Sequence, residues 1–183
     1  MHKQPLDTTA LSRRSLYNYE AMGQLTKVMP GFFVDSNLLP TDENLMYWIN
    51  RRYPLATMNL ISALACHGMT TQIPESLSIS IPRHTRAPKV LVAPVTVTIA
   101  RPEWLELGCM TRQGPLGPYR LTSPERTLVD CFRYRHKIGE NIFLEALHIA
   151  KQKGMLNLWT LDDIAKKLRA ARLITPYLTT VYS

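Results

Sequence analysis

Two short stretches alternate strictly between apolar and hydroxyl side chains, and they constrain the fold more than any other feature. Leu77, Ile79 and Ile81 alternate with Ser76, Ser78 and Ser80. Val95, Val97 and Ile99 alternate with Thr96 and Thr98. A period of two sends successive side chains to opposite faces, so each stretch reads as a half-buried strand. Residues 89–93 suit another strand, cut from the next by Pro94. Between the first two strands lies the basic loop Arg83-His84-Thr85-Arg86-Ala87-Pro88.

Helix signals surround these strands. Residues 43–52 and 56–66 read as two helices separated by Pro54, with His67-Gly68 closing the second. Gly114 to Pro118 forms a rigid loop, and residues 119–121 suit a short strand. Ser123-Pro124-Glu125 combines a serine cap, proline at the first helical position and an acid in the first turn, opening a helix to about Tyr134. Residues 140–153 form a further helix with Ile142, Ala146, Ile149 and Ala150 on one stripe. Thr160-x-x-Asp163 resembles a capping box and opens a last helix through Arg172, with 173–181 as a short coda.

The N-terminal part reads as a separate unit. Ser12 caps a helix to about Met22, and Gly23 ends it. Residues 24–28 and Phe32-Phe33-Val34 are strands about the turn Met29-Pro30-Gly31. A helix followed by a tight ribbon is the end of a winged helix-turn-helix. Only ten residues precede Leu11, and Pro5 breaks them, so a reduced version is expected, with residues 8–11 as a stub of the second helix. Residues 35–42, with Pro40, read as a linker. The expected organisation is α+β: a reduced winged helix over residues 1–38, then a mixed domain over 43–183 with a small sheet and several helices.

The 183 residues suffice for one full domain, or one domain with a small appendage. An apolar fraction of 45% with 20% charged residues excludes a disordered chain. Apolar runs are broken by Pro, Ser or Thr, so no transmembrane helix is expected. The first ten residues lack an apolar signal core, so secretion is not expected. Three cysteines, Cys66, Cys109 and Cys131, are widely spaced with no C-x-x-C, which argues against a disulfide framework or cysteine zinc site and fits the cytoplasm. A net charge of +8 favours a polyanionic partner.

On the first helix Arg13, Arg14, Tyr17, Asn18 and Ala21 share one face, while Leu16 and Tyr19 point toward a core with Leu25. Arginine pairs bidentately with guanine and asparagine with adenine, and tyrosine and cations suit phosphates. Lys27 in the ribbon is placed to reach the backbone beside the groove. The stretch Arg83, Arg86, Lys89 and Arg101 contains no acid within residues 83–101; it suits nucleic acid or an acidic protein surface, and solvated loop charges explain it equally well. Lys166, Lys167, Arg169 and Arg172 follow Asp162 and Asp163, an order that suits the helix dipole.

Catalytic signals are weak. The five histidines form neither H-x-x-x-H nor H-E-x-x-H, and there is no P-loop, G-x-G-x-x-G or G-x-S-x-G. Glu125, Asp130 and Glu145 are the conceivable carboxylate metal set, but Glu125 fits helix-start electrostatics, and Arg126 and Arg133 lie within reach of Asp130. No enzyme, cofactor or metal is expected.

Four segments are similar to one known family. Residues 23–34, Gly-Gln-Leu-Thr-Lys-Val-Met-Pro-Gly-Phe-Phe-Val, resemble the G-x-L-x-(R/K)-(V/L)-x-x-G-x-(Y/F) wing of the AbiEi-type antitoxins. Residues 62–70, Ser-Ala-Leu-Ala-Cys-His-Gly-Met-Thr, resemble their S-A-L-x-x-(H/W)-G-L-T segment. Residues 78–83 resemble the following strand and basic loop, and residues 122–130, Thr-Ser-Pro-Glu-Arg-Thr-Leu-Val-Asp, the family's most recognisable stretch. The resemblance spans about residues 11–130, in order. It implies the antitoxin of a type IV, abortive-infection toxin–antitoxin system and a repressor of its own operon. DNA contacts would come from Arg13, Arg14, Tyr17, Asn18 and Lys27. The implied partners are operator DNA, with paired half-sites bringing two copies together, and a nucleotidyltransferase-like toxin. The alternatives are a protein-interaction module that binds a toxin or effector without DNA, and a small metal-dependent nuclease.

Overall fold

Ser12 starts the first helix, α1 (Arg13–Ala21), in a computed structural model that describes residues 11–37 and 41–182. The Ser12 hydroxyl oxygen accepts the Ser15 backbone N–H at 3.1 Å. Gly23, at φ +71°, turns the chain out of the helix, a conformation open to glycine at little cost. The hairpin of β1 (Leu25–Met29) and β2 (Phe32–Asp35) follows. The helix, the glycine stop and the ribbon are thus as the residues dictate. Among the described residues no helix precedes α1. Residues 8–10 of the expected stub and Pro40 of the expected linker lie outside the described residues.

The chain continues as α2 (Asp42–Arg52), β3 (Thr57–Met58), α3 (Leu60–His67), β4 (Leu77–Pro82) and β5 (Val95–Ala100). It goes on through α4 (Pro102–Glu106), β6 (Cys109–Gln113), β7 (Pro118–Thr122), α5 (Pro124–Arg133) and α6 (Arg135–Ile138). It ends with α7 (Glu140–Gln152), α8 (Leu158–Lys167) and α9 (Ala171–Tyr182). The architecture is α+β: among the described residues, nine helices, the two-stranded hairpin and a mixed five-stranded sheet. The strand order is β5-β4-β3-β7-β6. β4 and β5 run parallel, joined by the twelve residues 83–94, about the minimum for such a crossover. None of these helices is long and apolar enough to cross a membrane.

The alternating strand β4 is buried on both faces rather than half-buried. Its apolar side, Leu77, Ile79 and Ile81, packs with Met58, Tyr119, Leu121, Leu45 and Ile49. Val28 and Met29 of the hairpin join that same core. Its hydroxyl side meets α3 and neighbouring polar groups. The Ser62 hydroxyl accepts the Ser78 N–H at 3.0 Å and donates to the Ser76 carbonyl at 3.3 Å. The Asn59 amide donates to the Ser80 and Thr98 hydroxyls at 2.6 and 2.8 Å. Serine is tolerated there because the buried Ser62 and Ser80 hydroxyls have partners and Ser62 also takes up the Ser78 N–H. The edge strand β5 is the half-exposed one, with Thr96 and Ile99 outside.

Four more expectations are corrected. Residues 56–59 do not begin a helix: β3 is bonded to β4 and β7, and Leu60 at φ +46° turns the chain into α3. Residues 89–93 form no strand. Pro88 is buried, and the Leu91 N–H donates to the Val28 carbonyl at 2.9 Å, so this segment docks on the hairpin. α8 starts before Thr160, because the Asn157 side chain accepts the Trp159 and Thr160 N–H groups at 3.0 and 3.1 Å. Residues 171–182 are a full helix, separated from α8 by Arg169 at φ +58°. Tyr177 explains why: its ring packs edge-on against Phe132 and Phe143, both at 5.5 Å, in a second, helical core of α3, α5, α7, α8 and α9.

Candidate nucleic-acid interface

Arg13, Arg14, Tyr17 and Asn18 are all exposed on α1. The helix buries none of its residues fully, and Leu16 and Tyr19 are half-buried. Tyr17 is the hinge between helix and hairpin. Its ring stands edge-on to Phe33 at 5.3 Å. Lys27 lies directly across the ladder from Phe33, and its Nζ donates to the Tyr17 hydroxyl at 3.2 Å. The same ammonium sits 4.9 Å from the Tyr17 ring centroid, a cation–π contact worth about 0.5–1 kcal/mol at an exposed site. The Lys27 hydrogen bond, then that of Arg13, holds the Tyr17 phenol below its ordinary pKa. The fold therefore gathers Arg13, Tyr17 and Lys27 around one oxygen, with Arg14 and Asn18 on the adjoining surface of the helix.

The second predicted set separates into two pairs. Arg83 and Arg101 each follow one of the parallel strands, beside the register pair Pro82 and Ala100, and both are exposed. Arg101 lies 4.0 Å from Glu103 and over the Trp104 ring. Arg86 and Lys89 instead line a groove of about 220 Å³ with Met29, Pro30, Arg52, Tyr53 and Ala87. Arg52 escaped the sequence reading: with Arg51 in the last turn of a helix, it is explained by the dipole alone. The basic residues of α8 pair along their own helix, Lys166 with Asp162 and Lys167 with Asp163.

The three carboxylates of the conceivable metal set are engaged separately. Glu125 accepts the Ser123 hydroxyl at 3.0 Å and the Asn157 N–H at 3.1 Å. Asp130 pairs with Arg126 at 2.8 Å and Arg133 at 3.2 Å. Glu145 accepts from the Thr71 hydroxyl and N–H and the Thr70 hydroxyl. Among the described residues, no three His, Cys, Asp or Glu side chains gather to hold a metal.

Sequence reasoning missed one polar network, because its main bonds each join residues more than forty apart. The Tyr119 hydroxyl donates to Glu43 at 2.7 Å and lies 3.1 Å from the Cys66 sulfur. The Arg112 guanidinium donates to the Cys66 carbonyl at 2.7 Å, and the buried His67 Nε2–H to the Thr122 carbonyl at 2.7 Å. Burial lowers the His67 pKa and Arg112 lowers it further, against the opposing pull of the Thr122 hydrogen bond. The unfolded chain then binds a proton near pH 6.5 where the folded ring does not, so stability falls as pH drops below about 6.5. His67→Gln should shrink the difference between urea midpoints at about pH 7 and about pH 5. An undiminished difference would assign that acid sensitivity to other groups.

The sequence matches no protein-family model and no curated protein.

Proposed function

We propose that this chain is the antitoxin of a bacterial abortive-infection system and represses its own operon. In this reading α1 is the recognition helix and the β1–β2 hairpin the wing of a winged helix-turn-helix. Arg13, Arg14 and Asn18 face base edges in the major groove, and Tyr17 and Lys27 hold a phosphate beside it. The carrying observation is the Tyr17–Lys27 clasp, which fixes a solvent-open, cationic helix face against a hairpin. The four-segment resemblance to the AbiEi-type antitoxins supports the same reading. The mixed domain opposes a nucleotidyltransferase-like toxin in the cytoplasm, and two copies meet on paired half-sites. The segment 123–130 is given no catalytic part: Ser123 caps α5 at 3.2 Å, and Asp130 neutralises arginines.

The test uses cells in which the gene adjacent to this chain's own, expected to encode a nucleotidyltransferase-like toxin, is expressed from an inducible promoter. The full chain should restore growth and silence a reporter fused to the DNA upstream of its own gene. Rescue without silencing would leave a toxin-binding module that does not use DNA. Silencing without rescue would leave a repressor alone.

A further inference from the structure

We infer that DNA is held by a second phosphate-binding groove, formed jointly by the hairpin turn, the end of α2 and the crossover loop. This rests on the proposed DNA reading. Arg52, Arg86 and Lys89 converge on one groove of about 220 Å³, with the Tyr53 ring on its wall. No carboxylate is among its described lining residues. None of the ion pairs among the described residues uses these three cations. Like charges gathered without acids repel each other, and a polyanion relieves that repulsion.

The groove is also placed for a continuous nucleic-acid backbone. Met29, at the end of β1, and Pro30, in the hairpin turn, both line it, so it adjoins the hairpin that the proposed function reads as the wing. The crossover loop is held in place beside the hairpin, since Pro88 is buried and the Leu91 N–H bonds to the Val28 carbonyl at 2.9 Å. Its attachment to the hairpin makes the mixed domain part of the DNA-binding surface. The ligand of this groove is a phosphate chain of duplex DNA, and not an acidic protein. Arginine forks suit phosphate bidentately, and the groove's place at the hairpin turn sets it beside the duplex that the proposed wing contacts.

The experiment is a fluorescence titration of the full chain with two labelled duplexes, one from upstream of its gene and one of unrelated sequence, over a range of salt. It compares the parent, the triple variant Arg52→Gln, Arg86→Gln and Lys89→Gln, and a control triple Lys166→Gln, Lys167→Gln and Arg172→Gln. All six positions are exposed, and a thermal melt confirms folding. The groove variant should show a log–log salt slope shallower by about 2 to 3 on both duplexes, with its sequence preference kept. The control should keep the parent slope. If the parent binds and the groove variant keeps its slope, or the control loses as much, the groove is overturned and DNA binding stands. If the parent binds neither duplex, the DNA reading falls and takes the groove with it.

Discussion

Asp130→Ala is expected to lower stability by about 3–5 kcal/mol, read as a shift of the urea unfolding midpoint. Asp130 and Arg126 are each 4% exposed in their side chains, with Nε and Oδ2 2.8 Å apart. Removing the acid strands the buried guanidinium and also frees Arg133. A surface pair would lose no more than about 1 kcal/mol, so the magnitude separates the two descriptions. The reciprocal apolar replacement, Arg126→Met with Asp130→Leu, should not restore stability. Arg126 also donates to the Trp104 and Leu107 carbonyls, which that double variant would leave without their donor. Wild-type stability in Asp130→Ala, with toxin rescue lost, would instead move this segment into the functional surface.

Arg13→Ala and Arg14→Ala should each weaken binding to the upstream duplex by about 1–3 kcal/mol wherever the arginine reads a base, and leave an unrelated duplex nearly unaffected. Lys27→Gln acts differently. It removes the proposed phosphate contact, and it also opens the clasp on Tyr17 that fixes α1 against Phe33. Its cost should fall on both duplexes alike, and it should be non-additive with Tyr17→Phe, because the two share one hydrogen bond. Unchanged affinity in both arginine variants would remove base reading from this face.

Much of the candidate interface was legible because its signals are local. Ser12, Gly23 and the Met29-Pro30-Gly31 turn each act within a few residues, and helical periodicity alone places Arg13, Tyr17 and Asn18 together. The Lys27–Tyr17 contact needed the hairpin register, which the sequence alone does not give. Capping likewise placed α5 correctly, yet α8 is capped three residues before Thr160, because Asn157 takes up the Trp159 and Thr160 N–H groups first. Hydroxyl alternation was read as a solvent-facing side. Ser78 and Ser80 are instead 7% and 6% exposed: from distant positions Ser62 takes up the Ser78 backbone N–H and Asn59 donates to the Ser80 hydroxyl. The two-residue strand β3 carries no periodicity at all, and only its neighbours define it. Arg52 joined Arg86 and Lys89 across more than thirty residues for the same reason.

Sequence-selective DNA binding through α1 and the hairpin is the central claim. The most direct measurement is an equilibrium titration of the full chain against the duplex upstream of its own gene and an unrelated duplex of equal length, at near-physiological salt. Binding to the upstream duplex should be tighter by roughly a thousandfold or more, with both affinities falling steeply as salt rises. Equal affinity for the two duplexes, or no binding to either, would contradict it.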